Sequence, residues 1–112
     1  MLPEKYRLPK ERFQYVYKNG KKIRGQYGML VSVKEDSLQN PKIGIVVSRK
    51  IGNAVKRHRM TRVLRTVFLQ LIKSLQLETT GIFLEYIAFE FCDEWESLEK
   101  EISSQLLQTV RK

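Results

Sequence analysis

Between Asp36 and Glu78 the chain has no carboxylate, and its 112 residues include one cysteine, one histidine, one tryptophan and three prolines. Each scarcity excludes something. A lone thiol, Cys92, builds no intramolecular disulfide framework and fits a reducing compartment. His58 is the only imidazole, and no second His or Cys stands at a zinc-ligand spacing from it. No apolar run approaches the roughly 18 residues of a membrane span. The amino terminus carries Pro3, Glu4, Lys5 and Arg7 where an export signal would be apolar, so the expected location is cytoplasmic. There is no phosphate-binding glycine-rich loop, nucleophile elbow or acid pair beside a base, and a self-sufficient nuclease lacks visible machinery. The length predicts a single domain over residues 1–112, with one small core and no separate catalytic unit.

What is present is cationic and unevenly placed. The net charge is +9, from 21 Lys plus Arg against 12 Asp plus Glu. Residues 1–36 carry +5, residues 37–77 carry +9 with no acid, and residues 78–112 carry −5. A solvated surface interleaves both signs, because like charges repel. Forty-one residues without a carboxylate point instead to a polyanionic partner. An anionic membrane is the weaker candidate, since Trp95 lies in the acidic third rather than beside the cations.

Pro9-Lys10-Glu11-Arg12 can open a helix that carries Phe13, Val16 and Tyr17 at i, i+3 and i+4 and stops at Asn19-Gly20. Tyr27–Val33 and Lys42–Ser48 predict two antiparallel strands, the second an apolar run suited to a sheet interior. A further strand between Gly20 and Tyr27 has the weakest signal. Asn53 is placed to cap a long helix from Ala54 to about Leu75, Ile82–Phe89 predicts another strand, and Leu98, Ile102 and Leu106 mark a final acidic helix.

On the long helix, Arg59, Arg62, Arg65 and His58 share a 120° arc, while Met60, Val63, Leu64, Val67, Phe68, Leu71 and Ile72 lie away from it and are expected to face the sheet. Arg57 lies off the arc and must either snorkel or turn toward the loop that carries Arg49 and Lys50. Lys56, Arg57 and Arg59 crowd the first turns, where the helix dipole favours acids. An anionic ligand at that end would reverse the penalty, using free backbone N–H groups and the cations together. The competing explanation is that the acidic final helix neutralises the basic one. The Asp93, Glu94 and Glu96 cluster is more simply a helix start than a metal site, and no metal is assigned to it. Phe13 and Tyr17 are candidates for core or for stacking on unpaired bases. A DNA-binding helix-turn-helix lacks its first short helix, so no DNA partner is expected.

The stretch Lys42–Phe68, KIGIVVSRKIGNAVKRHRMTRVLRTVF, resembles the protein subunit of bacterial ribonuclease P, and the likeness extends from about Leu8 to Leu107. The family's Arg-Asn-Arg signature stands here as Arg57-His58-Arg59, with Arg62 and Arg65 retained. Thr61 replaces a usual Lys, Phe89 falls near a usual Arg, and Val31 lies about where an aromatic can occur. The resemblance implies a two-layer α+β (α/β) sandwich of the kind seen in a ribosomal-protein domain. Its central, mostly antiparallel sheet would follow the order helix, strands, helix, strand, helix, with a left-handed βαβ crossover that the general rule would not predict.

It also implies an endonuclease that is a ribonucleoprotein hydrolase of tRNA processing. In such an enzyme the catalytic RNA performs hydrolysis with Mg²⁺, and the protein contributes no catalytic side chain and binds no cofactor itself. Arg49, Lys50, Lys56, Arg57, His58, Arg59, Arg62 and Arg65 would bind RNA. Phe13 and Tyr17 would line a cleft for the 5′ leader of precursor tRNA. The implied partners are the catalytic RNA and precursor tRNA, in a bacterial cytoplasm, the protein being a monomer without RNA. The alternative is a structural or chaperone-like RNA-binding protein with no part in tRNA cleavage.

Overall fold

The computed structural model describes residues 2–110. Two short 3₁₀ turns, Glu4–Tyr6 and Lys10–Arg12, lead into α1 (Phe13–Asn19). There follow β1 (Lys21–Arg24), β2 (Gly28–Lys34), β3 (Lys42–Val46), a 3₁₀ turn at Arg49–Ile51, α2 (Ala54–Ser74), β4 (Ile82–Ala88) and α3 (Trp95–Val110). The order matches the expected helix, strands, helix, strand, helix.

The four strands form one sheet in the order β1-β2-β4-β3. β1 and β2 are antiparallel, as are β2 and β4, while β3 runs parallel to β4. Two expectations are corrected here. β2 and β3 run in opposite directions but are not neighbours, because β4 inserts between them. β3 is an edge strand rather than an interior one. Its apolar run is explained by cover rather than by position: the backbone of the amino-terminal segment lies along the free edge, with the Leu8 N–H donating to the Ile43 carbonyl at 2.9 Å. This cover also blunts an edge that could otherwise pair with another chain.

Alternation along the strands divides the core in two. On one face Leu30, Ile43, Leu84 and Tyr86 meet Met60, Leu64, Val67, Phe68 and Leu71 of α2 and Leu98, Ile102 and Leu106 of α3. On the other, Met29, Val31 and Phe83 meet Leu8, Val16 and Phe13. The α2 and α3 pair is the second full layer of the sandwich; the seven-residue α1 covers only part of the opposite face, over β2 and β4. Phe13 seats on Gly44, where a Cβ would lie 2.5 Å from its ring, so any side chain at that strand position would have to push the ring aside.

α3 also does work that its charge pattern did not announce. Glu101 accepts from the backbone N–H groups of Tyr27 at 2.9 Å and Gly28 at 3.1 Å, and from the Tyr86 hydroxyl at 2.7 Å. One turn on, Gln105 donates to the carbonyls of Ile23 and Gly28. The two side chains fasten the β1–β2 turn to the core. Gly28 lets Tyr86 approach, since any side chain there would collide with its ring.

α2 begins on Asn53, whose side chain accepts from the Lys56 N–H at 2.9 Å, as the sequence predicts. It ends in a Schellman arrangement: Leu77 N–H reaches the Ile72 carbonyl, Gln76 N–H reaches the Lys73 carbonyl, and Leu77 buries its side chain. Gln76 occupies the left-handed position at φ 57° that usually holds glycine. Gln76→Gly relieves this strain and is expected to raise the unfolding free energy by about 0.5–1 kcal/mol, the glycine's greater unfolded-state freedom offsetting part of the gain. A higher urea midpoint at unchanged m-value checks it.

Candidate nucleic-acid interface

α2 places its cations by geometry. Met60, Leu64, Val67 and Phe68 are fully buried against the sheet, so the opposite side of the helix projects outward. There Ala54, Val55, His58, Arg59, Arg62, Val63, Arg65, Thr66 and Leu69 line a shallow, open groove along the helix. Among the described residues, the side chains of His58, Arg62 and Arg65 have no hydrogen-bond or ion-pair partner. Arg59 approaches Asp93 at 3.8 Å and remains 60% exposed, and the Lys56 ammonium lies 5.4 Å from the centre of the Phe91 ring. The acidic third therefore screens one flank of the arc and leaves the rest unneutralised. An exposed pair of that length contributes little to stability.

Arg57 follows the second of its two predicted courses. It is half-buried, and its Nε donates to the Gly52 carbonyl at 3.2 Å, which draws it toward the exposed Arg49 and Lys50. The eight residues expected to bind RNA thus follow one another in space, Arg49 and Lys50 in the turn before α2, Lys56 and Arg57 on its first turn, and His58, Arg59, Arg62 and Arg65 along the outward arc. Among the described residues no three His, Cys, Asp or Glu side chains gather as a candidate metal site, and no helix is long and apolar enough to cross a membrane. Asp93 turns to Arg59, and Glu94 accepts from the Ser97 hydroxyl.

On the other face of the sheet the structure separates Phe13 from Tyr17. Phe13 is half-buried core, whereas Tyr17 is 49% exposed with the Lys22 ammonium 4.7 Å from its ring centre. Tyr15 joins them: it is exposed, meets Phe83 edge-on, and lies under the Arg12 guanidinium at 5.7 Å. Arg24 stacks on Phe89 in the same manner at 4.5 Å. Sequence reasoning missed Arg12, Lys22, Arg24 and Tyr15. The run Lys21-Lys22-Ile23-Arg24 was the signal available for two of them.

Beneath these groups lies a buried acid. Glu85 is 4% exposed in β4, between Val31 of β2 and Gly44 of β3, and its Oε1 has no hydrogen-bond partner. Burial pushes its carboxyl up from the ordinary 4.5, and the positive charge of Lys22 opposes the shift.

These features define a class: an α+β protein that presents unneutralised arginines on one side of its sheet and cation-paired aromatics on the other, suited to a polyanion with unpaired bases. The family model described as Ribonuclease P matches residues 2–109, and the chain belongs to that family, the protein component of an endoribonuclease of tRNA processing. It is 40% identical over 68 residues to the ribonuclease P protein component of Macrococcus caseolyticus, covering 60% of this chain and 59% of that one. With the Listeria innocua component it shares 33% over 84 residues, covering 74% and 71%. The structure of the Staphylococcus aureus ribonuclease P protein superposes with a TM-score of 0.71–0.72 in two determinations, one of them at 27% identity and covering 100% of this chain and 97% of the other.

Glu85 makes a stability prediction. A raised carboxyl pKa means that the folded state holds the proton more tightly than the unfolded one, so stability falls as pH rises through the window from 4.5 to the folded value. Glu85→Leu removes the unpaired acid and is expected to stabilise the fold by about 1–3 kcal/mol at neutral pH. The difference between variant and parent should shrink as pH falls toward 4.5, measured by urea denaturation at a series of pH values.

Proposed function

We propose that this chain binds the catalytic RNA of ribonuclease P through the outer arc of α2 and the Arg49-Lys50 turn, and holds the 5′ leader of precursor tRNA on the opposite face of the sheet. The observation that carries the reading is the unpartnered set His58, Arg62 and Arg65, held outward by a helix whose other side is fully buried. Folding gains nothing from exposed arginines that meet no counter-charge and repel one another along one side of a helix. A phosphate backbone supplies the missing charge and gains the entropy of released counterions. Guanidinium groups suit this because their planar forks grip phosphate oxygens in pairs.

In this reading Phe13 and Tyr17 stand beside the path of the leader, Tyr17 as a stacking surface and Phe13 chiefly as the core contact that positions α1. Mg²⁺ held by the RNA subunit would supply the hydrolytic chemistry, and no side chain of this protein would take part in it. The protein's own residues orient the substrate and reduce the repulsion between two RNAs. The protein acts in the bacterial cytoplasm, as a monomer until it meets RNA.

The direct test is cleavage of precursor tRNA by a bacterial catalytic RNA at low Mg²⁺, with and without the protein, beside a protein-only lane. Strong stimulation with an inactive protein-only lane is expected. Tight RNA binding without stimulation would reduce the chain to a structural RNA-binding protein. Arg62→Ala is expected to weaken binding of the RNA subunit and to lower the slope of log K against log salt by about one, while the far-UV spectrum and urea midpoint stay close to the parent's. Collapse of the fold would contradict the outward placement of Arg62.

A further inference from the structure

Arg24 and Phe89 are the best-formed cation–aromatic pair on the α1 side of the sheet, and neither is needed for the core. Phe89 follows the last residue of β4 and is 38% exposed; Arg24 ends β1, is exposed, and holds its guanidinium 4.5 Å from the ring centre. Lys22, two residues earlier and on the same face, is paired with Tyr17. The two pairs therefore stand in line along β1, roughly 7 Å apart at the backbone. A charged edge strand by itself has a simpler explanation, since lysines on an edge discourage association with other strands. That explanation requires neither an exposed phenyl ring at the end of β4 nor a planar cation laid over it.

The platform is also held rigidly. Glu101 and Gln105 fasten the turn that follows Arg24, with Gln105 reaching the carbonyl of Ile23 beside it. The backbone carrying Arg24 is fixed against α3 before any ligand arrives. A guanidinium has two flat faces. One covers Phe89, and the other can take a nucleobase, which makes a three-layer stack of ring, guanidinium and base. The charge on Lys22 and Arg24, with no acid in β1, suits the phosphates that link such bases.

Resting on the reading that the leader lies along this face, we infer that Arg24 and Phe89 form a second stacking site for an unpaired leader nucleotide, one step beyond the nucleotide at Tyr17. The occupant is assigned to the leader rather than to the catalytic RNA because Arg24 and Phe89 lie on the α1 side of the sheet, away from the arc of α2. Planarity makes the site selective for arginine. A lysine would keep the charge and lose the stack.

The test uses the protein assembled with a bacterial catalytic RNA and precursor tRNAs carrying 2-aminopurine at successive leader positions, since stacking quenches this base. Two quenched positions are expected. Tyr17→Ala should restore fluorescence at one of them, and Arg24→Lys and Phe89→Leu together at the other, with affinity for the long-leader substrate falling about fivefold or more. Urea midpoints of both variants confirm that they fold. Quenching in Arg24→Lys equal to the parent would overturn the stacked geometry. Quenching at the Tyr17 position alone would overturn this inference and leave the leader reading standing. No quenched leader position at all would defeat both, and a response only from 2-aminopurine in the catalytic RNA would overturn the assignment of the occupant.

Discussion

β4 is the strand on which the rest of the structure depends. Placed between β2 and β3, it shows Leu84 and Tyr86 to α2 and α3 and Phe83 to α1, so both cores are built on its two faces. Because its neighbour β3 is parallel, the chain must cross the sheet between them, and α2 is that crossing. The crossing helix has to bury one side against the sheet. The side left over is the one that carries His58, Arg59, Arg62 and Arg65. The outward arginine face is thus a consequence of topology, and the sequence had only to place cations on the spare side of a helix the sheet already required.

The electrostatics show where the acids of the chain are used. α3 carries several, and simple neutralisation of α2 would have been an economical arrangement. Instead, Glu101 accepts two backbone hydrogen bonds at the β1–β2 turn and a third from Tyr86 of β4, and Asp93 reaches only Arg59, at a long distance. A carboxylate bonded to backbone N–H groups and a buried tyrosine contributes more than an exposed ion pair, because its partners are fixed and partly desolvated. The fold therefore gains from its acids without quenching its cationic face. The negative carboxylate also explains part of why the Tyr86 hydroxyl is held far above its ordinary range, burial being the larger cause.

The parts legible in the sequence were those with a period. α2 and α3 repeat apolar residues every third or fourth position, and Met60, Leu64, Leu98, Ile102 and Leu106 are all fully buried. Asn53 and Gly20 marked helix boundaries by their chemistry. What failed was pairing. An apolar strand is equally apolar whether another strand or an overlying segment covers its edge, so β3 was assigned to the interior while Arg7 and Leu8 in fact lie beside it. Glu101 was illegible for a related reason: its partners are backbone N–H groups 73 and 74 residues away, and a backbone donor leaves no mark in the sequence. The cation–aromatic pairs were hidden likewise, since Arg24 and Phe89 meet only after two strands have found a common neighbour.

A sheet between two polyanions has a task beyond binding each of them. In the proposed assembly the catalytic RNA lies against α2 and the leader against the far face, and RNA strands so close repel strongly unless cations stand between them. The protein distributes its charge accordingly. Arg62 and Arg65 project from one side, Lys22 and Arg24 from the other, and Arg49 and Lys50 occupy the turn where the chain passes from β3 to α2. Glu85 is the exception, an acid beneath the second of these surfaces. Burial favours its neutral form and Lys22 its charged one, so its charge is either absent or offset by a neighbouring cation. Either way the face above it stays positive, which is the condition a leader phosphate requires.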